Sequence, residues 1–258
     1  MAGDLAELAK LIKTIASEAI TLSQLDSDRF GIRVARSHIT SENLADVLEA
    51  CRDENVSLLI ARCATSDLRT VQVAEEHGFF LTDTLLYYRC DLHKLPMPAL
   101  KKECHVRPLL AGDAEQVQRV AAQAFQGYMG HYHADPRLDR RKCDEAYRSW
   151  AERSCVPGST ADKVLVAEYS GQVAGFGTLR KNSPAEVEGL LFGVAPEYQG
   201  RGICGALMIS SLQWSLSQGS ERMIISTQVT NVSMQKVWCR VGFEPSHSFY
   251  TFHRWFDR

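Results

Sequence analysis

The chain of 258 residues contains no run of about 18 apolar residues, so no membrane-spanning helix is expected. Neither sign of charge dominates: 29 basic against 31 acidic residues leave a formal net charge of -2. That balance excludes a general nucleic-acid binder, which would carry a basic stripe. The N-terminus has no basic segment before an apolar core, so no secretory leader is expected. Paired cysteines are also missing. The eight cysteines (Cys51, Cys63, Cys90, Cys104, Cys143, Cys155, Cys204 and Cys239) stand singly, with no CxxC. Free thiols in a reducing, cytoplasmic setting are the simplest account. The histidines lack metal-ligand spacing. The one close pair, His131 and His133, flanks Tyr132 in a loop-like stretch, and no metal is expected.

What is present is a soluble-type composition, 45% hydrophobic and 23% charged, with alternating helix and strand patterns. Leu5, Leu8, Leu11, Ile12, Ile15 and Ala19 recur at helical spacing and open the chain. Residues 30–35 alternate as a strand, Leu44, Val47, Leu48 and Cys51 mark a helix, and 57–63 is a short apolar strand. A helix from Leu68 closes at Gly78, before a long strand over 80–92. Pro96, Pro98 and three lysines within 93–103 mark a boundary, predicting domains over 1–95 and 104–258. Beyond it come a strand at Val106, a helix over 113–125, a polar and aromatic loop over 128–139, and a helix through Tyr147 and Trp150. Strands over 163–169 and 172–179 meet at Ser170-Gly171, a hairpin turn. The remainder reads strand 186–194, helix 203–216, strand 222–227, helix 232–241 and strand 246–254.

One internal match stands out. Leu58-Leu59-Ile60 precedes Gly78-Phe79, and Met223-Ile224-Ile225 precedes Gly242-Phe243. The step from Ile60 to Gly78 is 18 residues, as is that from Ile224 to Gly242, which suggests a second, truncated copy of one strand-helix-strand unit.

Between the strand ending at Val194 and the next helix lies Gln199-Gly200-Arg201-Gly202-Ile203-Cys204-Gly205. Glycines let a backbone turn tightly and approach a ligand. The first N–H groups of the helix carry about half a positive charge, which suits a pyrophosphate. Arg201 adds a cation. The N-terminal copy has no such loop, so its expected job is structural. The phrase Val194-Ala195-Pro196-Glu197-Tyr198-Gln199-Gly200-Arg201-Gly202 resembles motif A of the GNAT superfamily of acyl-CoA transferases. Cys204 replaces that motif's last glycine or alanine. The resemblance implies an α/β (α+β) GNAT fold with a mixed, mostly antiparallel sheet, plus an N-terminal truncated GNAT-like half-domain. It further implies coenzyme A as the carrier. Leu191, Phe192, Gly193 and Val194 would lie along the pantetheine arm, residues 199–205 along the pyrophosphate, and Asn231 beside the carrier, or else as a helix N-cap.

Three further stretches are similar to bacterial dTDP-fucosamine acetyltransferases. These are Tyr132-His133-Ala134-Asp135-Pro136-Arg137 with the helix of Trp150, Gly175-Phe176-Gly177-Thr178-Leu179-Arg180, and Thr227-Gln228-Val229-Thr230-Asn231. The group implies acyl transfer to the amine of a dTDP-linked deoxyamino sugar in surface-polysaccharide synthesis. Tyr128, Tyr132, His133, Arg137, Gln228 and Trp238 are the substrate-binding candidates. The competing expectations are another amine, of an aminoglycoside or a peptide N-terminus, or a non-catalytic acyl-CoA-binding protein. No nucleic-acid or membrane partner is expected, and a homodimer is left open.

The reaction needs a neutral amine and a proton for the departing thiolate. An amine near pKa ~7.8 is roughly a tenth neutral at pH 7, a deficit of only ~1.4 kcal/mol, so a modest base suffices. Glu188 is the candidate base, eleven residues before Gln199 as in the histone-acetyltransferase branch of the resembled family. The tyrosine common in that family's N-x-x-A-x-x-L-Y phrase is Trp238 here, and an indole N–H does not give up its proton. Tyr250 and His247 are the candidate acids in its place.

Overall fold

The computed structural model describes residues 19–94 and 104–256. The opening helix expected from Leu5 onward, apart from Ala19, and the boundary over 95–103 lie outside the described residues. In chain order the elements are β1 (Thr21–Leu22), α1 (Gln24–Phe30), β2 (Val34–His38), α2 (Leu44–Asp53), β3 (Leu58–Ala64), α3 (Leu68–Glu76), β4 (Phe80–Asp91), β5 (His105–Pro108), α4 (Ala114–Ala124), α5 (Arg140–Ser154), β6 (Lys163–Tyr169), β7 (Gln172–Ser183), β8 (Glu186–Val194), α6 (Ile203–Ser217), β9 (Arg222–Gln228), α7 (Val232–Arg240) and β10 (Glu244–Trp255). A single 3-10 turn, Pro196–Tyr198, follows β8.

One expectation is corrected. Residues 30–35 do not form a strand, because a helix runs through Phe30 and the strand begins at Val34. The helix starts where the Ser23 side chain accepts from the Asp26 N–H, and stops at Gly31 in the left-handed region. Those two signals override the weak alternation.

The chain divides into two compact units that interleave in sequence. Unit 1 gathers Met1–Leu85, Met129–Lys142 and Ser248–Arg258; unit 2 gathers Leu86–Tyr128 and Cys143–His247. In unit 1 the strand order is β1-β2-β3-β10, with β2 and β3 parallel and β10 antiparallel to β3. Its core joins Leu44, Val47, Leu48 and Cys51 of α2 to Ala35, Leu59, Ala61 and Phe252. The three- and four-residue spacing of the α2 set places it on one face.

In unit 2 the order is β4-β9-β8-β7-β6-β5. Strands β8 and β9 are parallel, while β5 to β8 pair antiparallel. Helix α6 lies on one face, with Ile203, Leu207, Met208 and Leu212 against Val187, Met223 and Ile225. Helix α4 covers the other with Val117, Val120 and Ala121 against Val166, Phe176 and Leu191. A sheet buried on both faces explains why residues 173–179 of β7 are continuously buried.

The internal repeat extends to whole elements. Strand β3, helix α3 and strand β4 start and end 164 residues before β9, α7 and β10, element for element. The helix caps repeat too. Asp67 accepts from the Thr70 N–H, and Asn231 accepts from the Met234 N–H. At the other end the Phe79 N–H reaches the Ala74 carbonyl, and the Phe243 N–H reaches the Trp238 carbonyl. Gly78 and Gly242 both have positive φ, at 76° and 100°.

Candidate functional site

The copies diverge at the parallel strand pair, and there the site of unit 2 is built. Strands β2 and β3 pair along all of β2, from Val34 opposite Leu58 to His38 opposite Arg62. Strands β8 and β9 pair only from Glu186 opposite Arg222 to Gly189 opposite Ile225. At the next residue β8 bulges: Thr178 faces Leu191 and Leu179 faces Gly189, so Leu190 is the extra residue. From there to Val194, β8 has a strand partner in β7 alone among the described residues. The bulge thus releases one edge of Leu191, Phe192, Gly193 and Val194, leaving backbone groups that an extended ligand can pair with.

That edge leads into the glycine loop. The stretch between β8 and α6 is eight residues, against five between β2 and α2. Gly200 and Gly202 both take left-handed backbone, with φ of 75° and 83°. Gly202 is the N-cap of α6 and offers no side-chain cap. The N–H groups of Ile203, Cys204 and Gly205 have no partner among the described residues, since the first helical bond joins the Ala206 N–H to the Gly202 carbonyl. Three unpaired donors at a helix start fit an anion such as pyrophosphate. The Gln199 side chain donates to the Val194 carbonyl at 3.2 Å. The Arg201 guanidinium lies 5.2 Å from the Tyr169 ring centre, with Nη1 3.4 Å from its hydroxyl. The Cys204 sulfur is 3.6 Å from that of Met234, and burial pushes its thiol up to about 12. That is the opposite of an activated nucleophile.

The Glu188 carboxylate accepts from Arg180 at 2.8 Å and from Asn182 at 3.1 Å. Asn231 caps α7 and donates to the Thr227 hydroxyl at 2.9 Å, so its capping role is observed. The remaining candidates are divided between the two units and are described unit by unit. Trp238, a substrate-binding candidate, is 2% exposed in the unit 2 core and edge-on to Tyr88. Gln228 is buried at the end of β9. Tyr128 packs against Phe125 and Tyr147 with ring centres 5.5 and 5.0 Å away. His247 stacks on Tyr87 at 4.5 Å. In unit 1, Tyr250 packs against the core of that unit, opposite Cys63.

Tyr132 is buried, and its hydroxyl is already engaged. It donates to Asp26 at 2.7 Å and accepts from Arg36 at 2.6 Å. Burial first, and Asp26 beside it, push its phenol up to about 12, outweighing Arg36. His133 is buried and accepts from the Gly130 N–H at 3.2 Å, while Arg137 stacks on Trp255 at 4.1 Å. Sequence reasoning missed a polar cluster in this unit. Asp135 accepts from His253 at 2.7 Å and from Trp255 at 2.9 Å, and His253 in turn meets His131 at 3.0 Å. The usable signal was polar residues on the inward side of a long strand, His253 and Trp255 of β10. No group of three or more metal-binding side chains among the described residues could hold an ion, and no described helix is long and apolar enough to cross a membrane.

Residues 125–243 match the Acetyltransferase (GNAT) family. The chain carries a GNAT acetyltransferase domain. The match runs from the end of α4 past Gly242, so it contains the bulge, the glycine loop and Asn231. The spore coat polysaccharide biosynthesis protein SpsD of Bacillus subtilis is 27% identical over 175 residues, 66% of this chain and 58% of that protein. A mycothiol acetyltransferase of Amycolatopsis mediterranei is 28% identical over 57% of this chain and 48% of its own length. The chain therefore spans about half the length of these curated relatives. Beyond the GNAT domain itself, the fold is similar to a tandem GNAT protein from the clavulanic acid biosynthesis pathway. The TM-score is 0.59 at 15% identity, covering 95% of this chain and 87% of that one.

Proposed function

We propose that the protein is an N-acyltransferase that moves an acyl group from acyl-CoA to the amine of a nucleotide-linked deoxyamino sugar. The observation that carries the donor half is the bulge at Leu190, which frees the β8 edge directly before three uncapped N–H groups. Coenzyme A would supply the thioester. The Leu191 to Val194 backbone would align its arm as an added strand, and the N–H groups of Ile203, Cys204 and Gly205 would receive the pyrophosphate with Arg201 nearby. The catalytic domain on this reading is the one expected over 104–258, and the N-terminal copy, zipped along β2 and β3, has no equivalent slot.

The acceptor half rests on the segments of residues 132–137, 175–180 and 227–231 and on the SpsD relative, whose name places it in polysaccharide biosynthesis. Within unit 2, Glu188 is the proposed base, its carboxylate oriented by Arg180 and Asn182. Because a sugar amine needs only a modest base, a single oriented carboxylate is chemically adequate. The test is free-thiol release by the purified protein from acetyl-CoA and longer acyl-CoAs, offered dTDP-3-amino and dTDP-4-amino sugars, an aminoglycoside and a peptide. Release with a dTDP-amino sugar supports the reading. Release with the other amines alone sinks the sugar half, and release with none sinks both.

A further inference from the structure

The bulge at Leu190 frees an edge of β8 and also changes which side chains face α6. In a regular strand, residues two apart share a face. Val187 packs with the α6 core, but Leu191 packs on the opposite side with Val117 and Phe176. The extra residue returns Phe192 to the face of Gly189, three residues earlier, and its half-buried ring packs against the α6 core.

That ring is seated on two glycines. A Cβ on Gly177, directly opposite on β7, would run into Phe192 Cε1 and lie 2.7 Å from Cδ1. A Cβ on Gly189 would stand 2.9 Å from Phe192 Cε2, 2.9 Å from Ile225 Cδ1 and 3.0 Å from Met223 Cε. Three side chains thus converge on one point and leave no room there for a further carbon. The point lies at Gly189 opposite Ile225, the last pair between β8 and β9 before the two strands part. The apex of the splay is therefore closed on the α6 side, and the Phe192 ring is part of the closure. The other face is filled as well, since a Cβ on Gly193 would meet Phe176 Cε1 at 2.7 Å.

The direction in which a donor would lie rests on the acyl-transfer reading. The glycine loop follows Val194, and Gln199 of that loop donates to the Val194 carbonyl at 3.2 Å. A carrier with its pyrophosphate at residues 203–205 and its arm along residues 194 to 191 brings its acyl end to the apex. There the acyl carbons beyond the carbonyl meet the edge of the Phe192 ring. A filled apolar pocket discriminates against an added methylene by roughly tenfold or more.

We propose that Phe192 sets the acyl length, restricting the donor to acetyl-CoA by closing the apex of the splayed strands. The experiment is calorimetric titration of CoA, acetyl-CoA, butyryl-CoA and hexanoyl-CoA into the whole protein. Wild type should bind hexanoyl-CoA about tenfold or more weakly than acetyl-CoA, with butyryl-CoA between them. Phe192→Ala should narrow the ratio of hexanoyl-CoA to acetyl-CoA affinity by about tenfold, and Phe192→Leu by less. Melting temperatures report whether the variants fold. If neither does, wild type with 13C-methyl acetyl-CoA decides, since the bound methyl should show a nuclear Overhauser contact to the Phe192 ring. Wild type that binds hexanoyl-CoA as tightly as acetyl-CoA overturns the proposal. So does a folded Phe192→Ala with the wild-type ratio, or a bound acetyl methyl without contact to that ring. Any of these results alongside CoA binding removes the acyl-length inference and leaves the donor reading standing. No binding of CoA or of any thioester removes both.

Discussion

Asp26 shows how one carboxylate fixes a whole neighbourhood. It is buried and accepts from Ser23, Arg29, Arg36 and Tyr132. Burial alone would raise its pKa, but Arg36, Ser23 and Tyr132 more than reverse this and leave it lowered. A lowered folded pKa contributes stability that is complete above the unfolded value near 3.8 and is lost as pH falls from there through the lower folded value. Asp26→Asn should therefore cost about 3 kcal/mol at pH 7, because Arg36 and Tyr132 lose a charged partner. The difference in melting temperature from wild type should shrink as pH falls below about 4. A pH-independent difference would show that the charge is not what matters. At Glu188, replacement by Gln should lower kcat by about a hundredfold or more with little change in the affinity for acyl-CoA. An unchanged kcat would remove it as the base.

At the scale of elements, the bulged β8 depends on glycines that keep its neighbours close. A Cβ on Gly175 would meet the Gly193 carbonyl oxygen at 2.9 Å, and backbone cannot give way as a side-chain tip can. Gly175→Ala should cost about 1–3 kcal/mol in a denaturant titration, and no change would mean the strands have room to part. Helices and strands with strong signals were legible: the hairpin at Ser170-Gly171, the glycine stop at Gly78, and the apolar α6. The helix over Gln24–Phe30 was not, since its seven residues bury little apolar surface and its identity rests on Ser23 and Gly31. The bulge was illegible for another reason. One extra residue in an alternating strand leaves the apolar pattern intact, and only pairing with β7 and β9 reveals it.

For the whole molecule, an element-for-element repeat of 164 residues has produced one copy with a splayed strand pair and one that is zipped. The glycine loop could be read because its chemistry is local: left-handed turns, bare N–H groups and a helix start lie within seven residues. The substrate candidates rest on short polar phrases, whose partners only the folded chain reveals. The Tyr132 hydroxyl meets Asp26 and Arg36, and Trp238 packs in the core of unit 2, since buried hydroxyls find partners and buried rings find neighbours. The account turns on whether the loop of residues 199–205 receives a CoA pyrophosphate. Calorimetric titration of acetyl-CoA into wild type and Gly202→Val measures this directly. A β-branched residue cannot hold φ near 83° at the start of α6 without strain. Saturable binding by wild type, weakened about tenfold or more in the variant, is the expected result. Absence of binding by wild type, or equal affinity in both proteins, would contradict it.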